Sequence, residues 1–283
     1  MHTTFLSRRL AVVIAAQLFV ATAMGAGIND TGQTVCYDAQ ISFPNTLACS
    51  AAVGGDAGVN PRQDGRYGRD AAAAAGQLSK IGAGVAGFDF TKISNDGNVL
   101  AAGAALGPNG ADWACTKDNV TGLMWEVKTV SGLRASAHTY AWYSTDSSTN
   151  GYTPPSPLVG AGSAGAELGE LGTDTCGGTL AAAPYNNQCN TQYFVAAVNV
   201  VGLCGHSDWR LASRRELLSI VRAGTSAPSL DGAYFPSTAN ASYWTASTNP
   251  GGWGQAFVVR FIGGEADISN KTQTRWRARL VRG

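Results

Sequence analysis

The sequence has little charge, since Asp, Glu, Lys and Arg make up only 14% of its 283 residues and the net charge is +1. Such a balance attracts neither nucleic acid nor an anionic membrane surface. The sequence also lacks a C-x-x-C pair and contains only 3 His, so the ligand spacing of a zinc site is missing. Beyond the N-terminal region, no stretch approaches the roughly 20 consecutive apolar residues that a transmembrane helix needs. We therefore expect no nucleic-acid partner, no metal and no membrane span in the mature chain.

Residues 1–26 have the pattern of a secretory signal peptide. Arg8 and Arg9 precede an apolar run from Leu10 to Val20, and small residues follow it. The run is too short to cross a bilayer comfortably, although a short membrane anchor is the alternative. Cleavage would remove two Arg and no acidic residue, which leaves a net charge of −1. The pattern predicts a protein that is secreted, periplasmic or at the cell surface.

All six cysteines follow this segment: Cys36, Cys49, Cys115, Cys176, Cys189 and Cys204. An even number in an exported chain predicts disulfides, although spacing alone does not choose among the many possible pairings. We hypothesise that Cys36 pairs with Cys49 and that Cys176 pairs with Cys189, since each pair closes a local loop. The bond between Cys115 and Cys204 would then be the long-range tie.

Residues 27–110 form a Gly- and Ala-rich arm with little apolar periodicity. The alternating charges of Asp64 to Asp70 indicate a solvated loop, with a charged site as the alternative. Farther along, Asp96-Gly97 lies between apolar residues and predicts a short hairpin. The first part of the arm, from Gly27 to about Ala86, is expected to be irregular and pinned by its disulfide, and the chain is expected to turn strand-like from Phe88.

Residues 111–283 contain alternating strand and helix signals. Two strands flank a turn at Asp118 to Gly122, and the second, around Trp125, alternates in polarity, so we expect it to be half buried. Asn190 or Thr191 then caps a helix that Gly202 ends. The apolar residues of this helix recur as a core-facing stripe: Phe194, Val195, Val198 and Val201.

The stretch from Gly205 to Gly224 carries the clearest local signals. Ser213 and Glu216 form a capping box, which predicts a helix that begins there and closes at Gly224. Residues 208–211 lead into the helix as a short extended segment that buries a Trp. Four further strands are predicted after it: Tyr243–Ser247, Ala256–Ile262, Glu265–Ser269 and Arg275–Arg282. Two helices in a mostly antiparallel setting make this an α+β domain.

An aromatic cluster and a long insertion lie between these elements. Tyr140, Trp142 and Tyr143 are suited to stacking on sugar rings or to filling a core, and the core is the favoured interpretation. The stretch from Pro154 to Gly178 is rich in Gly, Pro and Ser and is expected to be a long exposed loop.

Four motifs together resemble the Lcl carboxy-terminal domain family of secreted bacterial proteins. They are D-N-V-T-G-L-M-W-E-V-K-T from Asp118, G-H-S-D-W-R-L-A-S-R-R-E-L from Gly205, Y-W-T-A-S-T from Tyr243 and R-L-V-R-G from Arg279. The resemblance covers about Trp113 to Gly283, and the start at Asp30 is similar to the arm that precedes such domains. One departure is Ala212, where the family usually has Pro.

The resemblance implies a C-type lectin-like fold, shared with formylglycine-generating enzymes, in which two helices lie beside an antiparallel sheet. It also implies a set of structural signature residues: Asp208, Trp209, Arg210, Leu211, Ser213, Glu216, Trp125 and Trp244. In a bacterial collagen-like adhesin the related domain binds sulfated polysaccharides.

A row of basic residues offers a candidate ligand site. In a strand from Arg275 to Arg282, Arg275, Arg277 and Arg279 would project from one face, and guanidinium groups suit sulfate or carboxylate. Lys271 and Arg260 are expected to add to the row. The alternative is that these residues pair with acids or stay solvated.

We therefore expect an exported, non-catalytic, disulfide-stabilised binding module whose partner is an anionic polysaccharide or a surface protein. A structural accessory of a pilus or secretion system is the alternative. An enzyme of the formylglycine-generating type is less favoured, because the even cysteine count favours disulfides and no catalytic cysteine pair can be assigned. No catalytic residue and no cofactor are predicted.

Overall fold

The computed structural model describes residues 30–33, 35–37, 46–49, 64–146, 168–272 and 275–283. The predicted signal peptide and most of the Pro154–Gly178 stretch lie outside these ranges. Within them, no helix has the length and apolar character to cross a membrane.

The described chain folds into short strands and few helices. The strands are β1 Val35–Tyr37, β2 Thr46–Ala48, β3 Phe90–Ser94, β4 Val99–Leu100, β5 Trp113–Asp118, β6 Met124–Glu126, β7 Arg210–Leu211, β8 Ser242–Thr248, β9 Gln255–Arg260, β10 Glu265–Asn270 and β11 Leu280–Arg282. The helices are α1 Asp64–Tyr67, α2 Arg69–Ala74, α3 Thr191–Val201 and α4 Arg214–Leu218, with a 3₁₀ turn at Leu203–Gly205. All strand pairs are antiparallel, so the predicted α+β class is confirmed.

A six-stranded sheet in the order β4-β3-β5-β6-β11-β7 carries most of the core. The central strand β6 is buried on both faces, with Trp125 and Glu126 both at 0% exposure, so the expectation of a half-buried strand is wrong. Met124 packs into a cluster with Phe194 and Trp209, whereas Trp125 packs into a second cluster with Leu217. Side chains of β6 alternate between two faces of the sheet, and both faces are covered. The polar residue Glu126 therefore also lies inside the protein.

The second sheet has three strands in the order β10-β9-β8. Trp244 of β8 is fully buried, and its indole Nε1 donates to Tyr140 O over 2.9 Å. Strand β10 is largely exposed and forms one edge of the sheet.

Both predicted helices of the main domain are present. Asn190 caps α3 by accepting a hydrogen bond from Tyr193 N, and Gly202 closes the helix with φ of 69°. The capping box of Ser213 and Glu216 opens α4.

Helix α4 is shorter than predicted, because it ends at Leu218 and not near Gly224. The backbone N–H of Arg222 donates to Ser229 O over 3.0 Å, so the chain leaves the helix to pair with a downstream loop. Ile220 stays buried even though it lies past the helix end. Spacing therefore predicted burial correctly and the helix boundary wrongly.

The three disulfides are Cys36–Cys49, Cys115–Cys204 and Cys176–Cys189. This confirms the hypothesised pairing. Cys115 lies on β5 and Cys204 follows α3, so the second bond ties the end of the long helix to the six-stranded sheet.

The segment from Asp64 to Asp70 folds as α1 and α2, so the prediction of a solvated loop is wrong. Asp70 is only 4% exposed, and its carboxylate accepts a hydrogen bond from Gly87 N over 2.8 Å. Arg69 Nε donates to Gly87 O over 2.9 Å. These charges hold the arm against the domain.

Candidate functional site

Arg279 is a structural residue inside the protein. It is 0% exposed, and its guanidinium donates to Glu126 O over 2.8 Å and to Thr238 Oγ1 over 2.7 Å. The same group lies over the rings of Phe235 and Tyr243. No part of the Arg279 side chain is available to a polysaccharide.

The predicted strand from Arg275 to Arg282 is wrong, because only Leu280–Arg282 is a strand. Trp276 and Arg277 form isolated bridges to Tyr140 and Tyr243, which belong to different parts of the domain. The arginines therefore do not project from one continuous strand face.

The other basic residues of the predicted row have partners in separate places. Lys271 is 0% exposed, donates to Thr248 Oγ1 over 3.0 Å and lies 3.9 Å from the Trp142 ring centroid. Arg275 pairs with Glu170 at 2.5 Å, and Arg277 Nε donates to Ser136 O over 2.8 Å.

Arg260 lies 3.4 Å from Glu265 and 3.9 Å from Asp267 on the exposed sheet edge. Each of the five basic residues thus contacts groups of its own chain, and the structure does not gather them into one charged surface. A role in ligand binding stays a prediction for Arg260, Arg275 and Arg277.

The signature segment around Trp209 joins α3 to the sheets. Trp209 is 2% exposed, and its indole Nε1 donates to Leu203 O over 3.0 Å. The Asn199 amide donates to Trp209 O over 2.9 Å and accepts from Trp209 N over 2.7 Å. Sequence reasoning missed Asn199, since an Asn on a helix carries no signal that names a backbone partner ten residues away.

Two ion pairs hold the ends of this segment. Arg210 contacts both carboxylate oxygens of Glu216, at 2.6 and 2.8 Å, and Arg282 of β11 contacts Asp208 at 2.7 Å. Burial raises the pKa of Glu216, but the hydrogen bonds from Arg210 and Ser213 outweigh it, so the pKa of this carboxyl is lowered. Glu216 therefore stays ionised and keeps Arg210 in one orientation.

A cleft of about 470 Å³ opens between this segment and the first turn of α3. Its interior is apolar, with Trp142, Val195, Leu211 and Ala246. Polar side chains stand around these residues: Ser144, Thr145, Asp146, Gln192, Arg210 and Ser213. An apolar interior with a few polar groups is the usual composition of a small-ligand site.

Backbone contacts fix the wall of the cleft that carries Tyr143. Thr191 Oγ1 accepts from Tyr143 N over 3.0 Å and donates to Tyr143 O over 2.9 Å. Gln192 Oε1 accepts from Thr145 N over 2.8 Å. The first turn of α3 thus fixes the position of this wall.

Three half-buried tyrosines extend from the cleft along the protein. Tyr143 lies 6.4 Å from Tyr193 between ring centroids, and Tyr193 lies 5.5 Å from Tyr185. We call Tyr143, Tyr193 and Tyr185 the tyrosine row. Tyr140 and Trp142 are buried, which confirms their interpretation as core residues, whereas Tyr143 is only half buried.

One group of metal-type ligands occurs in the described ranges. The ligand atoms of Asp174, Cys176 and Cys189 lie within 4.8 Å of one another. Because Cys176 and Cys189 are bonded to each other, neither offers a thiolate. This cluster is a disulfide with a neighbouring carboxylate.

Comparison with known families gives one match. The sequence profile described as Lcl C-terminal domain matches residues 114–282. Among curated proteins and among solved structures, no match was found. The matched region contains strands β6, β7 and β11 of the six-stranded sheet and nearly all of β5, together with both ion pairs of the Trp209 segment and the tyrosine row. Since it spans more than half of the chain, the protein belongs to the Lcl C-terminal domain family.

Proposed function

We propose that the protein is an exported, non-catalytic binding module that holds a polysaccharide on the tyrosine row and in the adjoining cleft. The observation that carries this proposal is the row itself, in which three half-buried rings follow one another at 6.4 and 5.5 Å, with neighbouring ring planes inclined at 65° and 57°. The face of a sugar ring that carries C–H groups is apolar and packs on an aromatic ring, while its hydroxyls need polar partners. Tyrosine offers a rigid surface of that kind at a small cost in side-chain entropy.

The cleft supplies polar partners beside the first ring of the row. Ser144, Gln192 and Ser213 line it together with Tyr143. A sugar residue seated on Tyr143 would place its hydroxyls toward these side chains. The neighbouring residues of the chain would then lie along Tyr193 and Tyr185.

The charges around the cleft favour stacking over ionic contacts as the source of affinity. Arg210 is held by Glu216, and Arg275 is held by Glu170, whose backbone N–H donates to Trp142 O at the cleft. Paired cations attract a distant anion weakly, and salt screens what remains. The proposal thus replaces the arginine row by aromatic rings as the main contact with the polysaccharide.

A C-type lectin-like fold and export belong to the same proposal. Two helices beside antiparallel sheets suit that fold. The three disulfides suit an oxidising compartment, and the pattern of residues 1–26 suits a cleaved signal peptide. N-terminal sequencing of the mature protein tests export directly, since cleavage near residue 26 supports it and an intact Met1 contradicts it.

The experiment that tests the function is a glycan array probed with the mature chain and with a Tyr143→Ala/Tyr193→Ala double variant. We expect binding to a defined set of polysaccharides that changes little between low and moderate salt and is lost in the double variant. Tyr67→Ala is the matched control, since Tyr67 is 64% exposed and lies on α1, outside the cleft. Binding that persists in the double variant would contradict the proposal, as would an array without any positive glycan.

A further inference from the structure

The far end of α3 presents apolar side chains to solvent. Val201 was predicted to face the core, yet it is 69% exposed, and Val200 beside it is 82% exposed. Val130, which lines a groove together with Val201, is 84% exposed. Two exposed apolar side chains that line the same groove, Val130 and Val201, favour a partner that covers them.

Val130 and Val201 line a groove of about 430 Å³. Leu106, Pro108 and Leu133 line it as well. Val198, Val201 and Leu203 at the end of α3 also line the groove. Helix α3 has 11 residues, about 16 Å, so the groove and the cleft lie near opposite ends of one helix.

The groove is fixed by contacts within the protein. Arg134 lines it, but its Nη1 is turned inward and donates to Ala114 O over 3.0 Å and to Val127 O over 2.6 Å. The Cys115–Cys204 disulfide anchors the end of α3 to β5. Leu106 forms a bridge to Trp113 at the start of β5. A partner would therefore meet a preformed surface.

A second hollow, of about 460 Å³, continues the groove, since Pro108, Val201 and Leu203 line both. It is polar, and the exposed carboxylate of Asp96 stands in it. Among the described residues that line either hollow, Arg134 is the one basic side chain, and its guanidinium is engaged with the two carbonyls. The joined surface is thus apolar at one end and negative at the other.

We propose that this groove docks a segment of another protein in which an aliphatic or aromatic residue is followed by Lys or Arg. The apolar side chain would cover Val130 and Val201, and the cation would reach Asp96. Charge complementarity selects this occupant, because a cation that follows the apolar side chain meets the exposed carboxylate of Asp96.

The test uses an array of short synthetic peptides that vary one apolar residue and the charge of the residue after it. The mature chain is expected to retain apolar-basic peptides and to reject the matched apolar-acidic ones. Val201→Ser should weaken the best peptide about tenfold. Val99→Ser is the control, since Val99 is 74% exposed but lies outside both hollows.

Asp96→Lys sharpens the test, because it should reverse the preference toward acidic peptides while the protein stays folded. Retention of no peptide, or equal retention of basic and acidic peptides, would overturn the proposal. Sedimentation of the wild-type chain as a dimer that Val201→Ser dissociates would also overturn it, in favour of self-association. Glycan binding at the other end of α3 is measured in a separate experiment, so either proposal can fail while the other is still tested.

Discussion

Two arginine-containing segments of the same domain, residues 208–218 and residues 275–282, differ in how their arginines are used. In the first, Arg210 pairs with Glu216 six positions later on the same segment. In the second, Arg279 bonds Glu126 O, and Arg275 pairs with Glu170, both more than one hundred positions away. Local partners can be inferred from spacing, whereas distant partners depend on the fold. The second segment therefore had the sequence of a binding strand, but in the structure Arg279 lies in the core and Arg275 is held by a distant acid.

The strongest test of the first segment is Trp209→Ala. We expect a loss of about 3 to 5 kcal/mol in the free energy of unfolding, because the ring is buried between α3 and the main sheet. Urea denaturation followed by fluorescence measures it. Trp209→Phe should keep part of this stability, since it retains one aromatic ring in the core while it loses the second ring of the indole and the bond from Nε1 to Leu203 O.

The corresponding test of the second segment is Arg279→Leu, for which we expect a loss of about 3 kcal/mol, since Glu126 O and Thr238 Oγ1 lose their donor inside the core. Arg279→Lys should recover only part of the lost stability, because one ammonium group cannot donate to both acceptors in the geometry of a guanidinium. An unchanged midpoint for Arg279→Leu would restore the surface interpretation of this segment.

The buried pair of Glu126 and Lys128 predicts a dependence of stability on pH. The Lys128 ammonium lies 2.9 Å from Glu126 Oε1, and burial lowers the pKa of Lys128 from 10.5 to about 8. Below about pH 8 Lys128 is protonated in both the folded and the unfolded chain, so the destabilisation that comes from burying its charge is fully present. Between about 8 and 10.5 the folded chain loses the proton first, so stability rises with pH, by at most about 1.4 kcal/mol per pH unit.

Denaturation curves between pH 7.5 and about 9.5 measure this rise while avoiding the ionisation of tyrosines. Burial raises the pKa of Tyr140 and Tyr243, so above about pH 10 the unfolded chain ionises them first and stability falls again. The Glu126→Gln/Lys128→Met double variant should show no rise in this window. A wild-type stability that is flat or falling from pH 8 would show that Lys128 is not the controlling group.

The smallest expected effect is that of Arg275→Ala. Its partner Glu170 is 38% exposed, and exposed ion pairs contribute less than about 1 kcal/mol. Thermal unfolding should therefore shift little. A loss as large as that of Arg279→Leu would show that the two arginines are equivalent and would remove the contrast within the second segment.

The parts of the fold that sequence predicted rest on short-range chemistry. The capping box at Ser213, the Gly202 helix end and the Asp96-Gly97 hairpin all appear in the structure. The disulfide pairing could also be predicted from sequence, since two of the three bonds close short local loops and leave one pair of cysteines for the third.

The features that the sequence did not predict depend on which distant part of the chain packs against a helix or strand. Val201 has helical spacing for a core residue, but no sheet or loop covers it among the described residues, so it is exposed. Lys128 is charged, which predicts a surface position, but it is buried and its Nζ lies 4.6 Å from the ring centroid of Phe194. The tyrosine row joins residues from position 143 to position 193, and spacing along the chain gives no sign of it.

The central claim is that aromatic rings, and not arginines, carry the affinity for a polysaccharide. Isothermal titration of the best glycan from the array against Tyr193→Ala and against an Arg260→Ala/Arg275→Ala/Arg277→Ala triple variant tests it most directly. We expect Tyr193→Ala to lower the affinity about tenfold or more, and the triple variant to stay close to wild type. A triple variant that loses binding while Tyr193→Ala retains it would contradict the account.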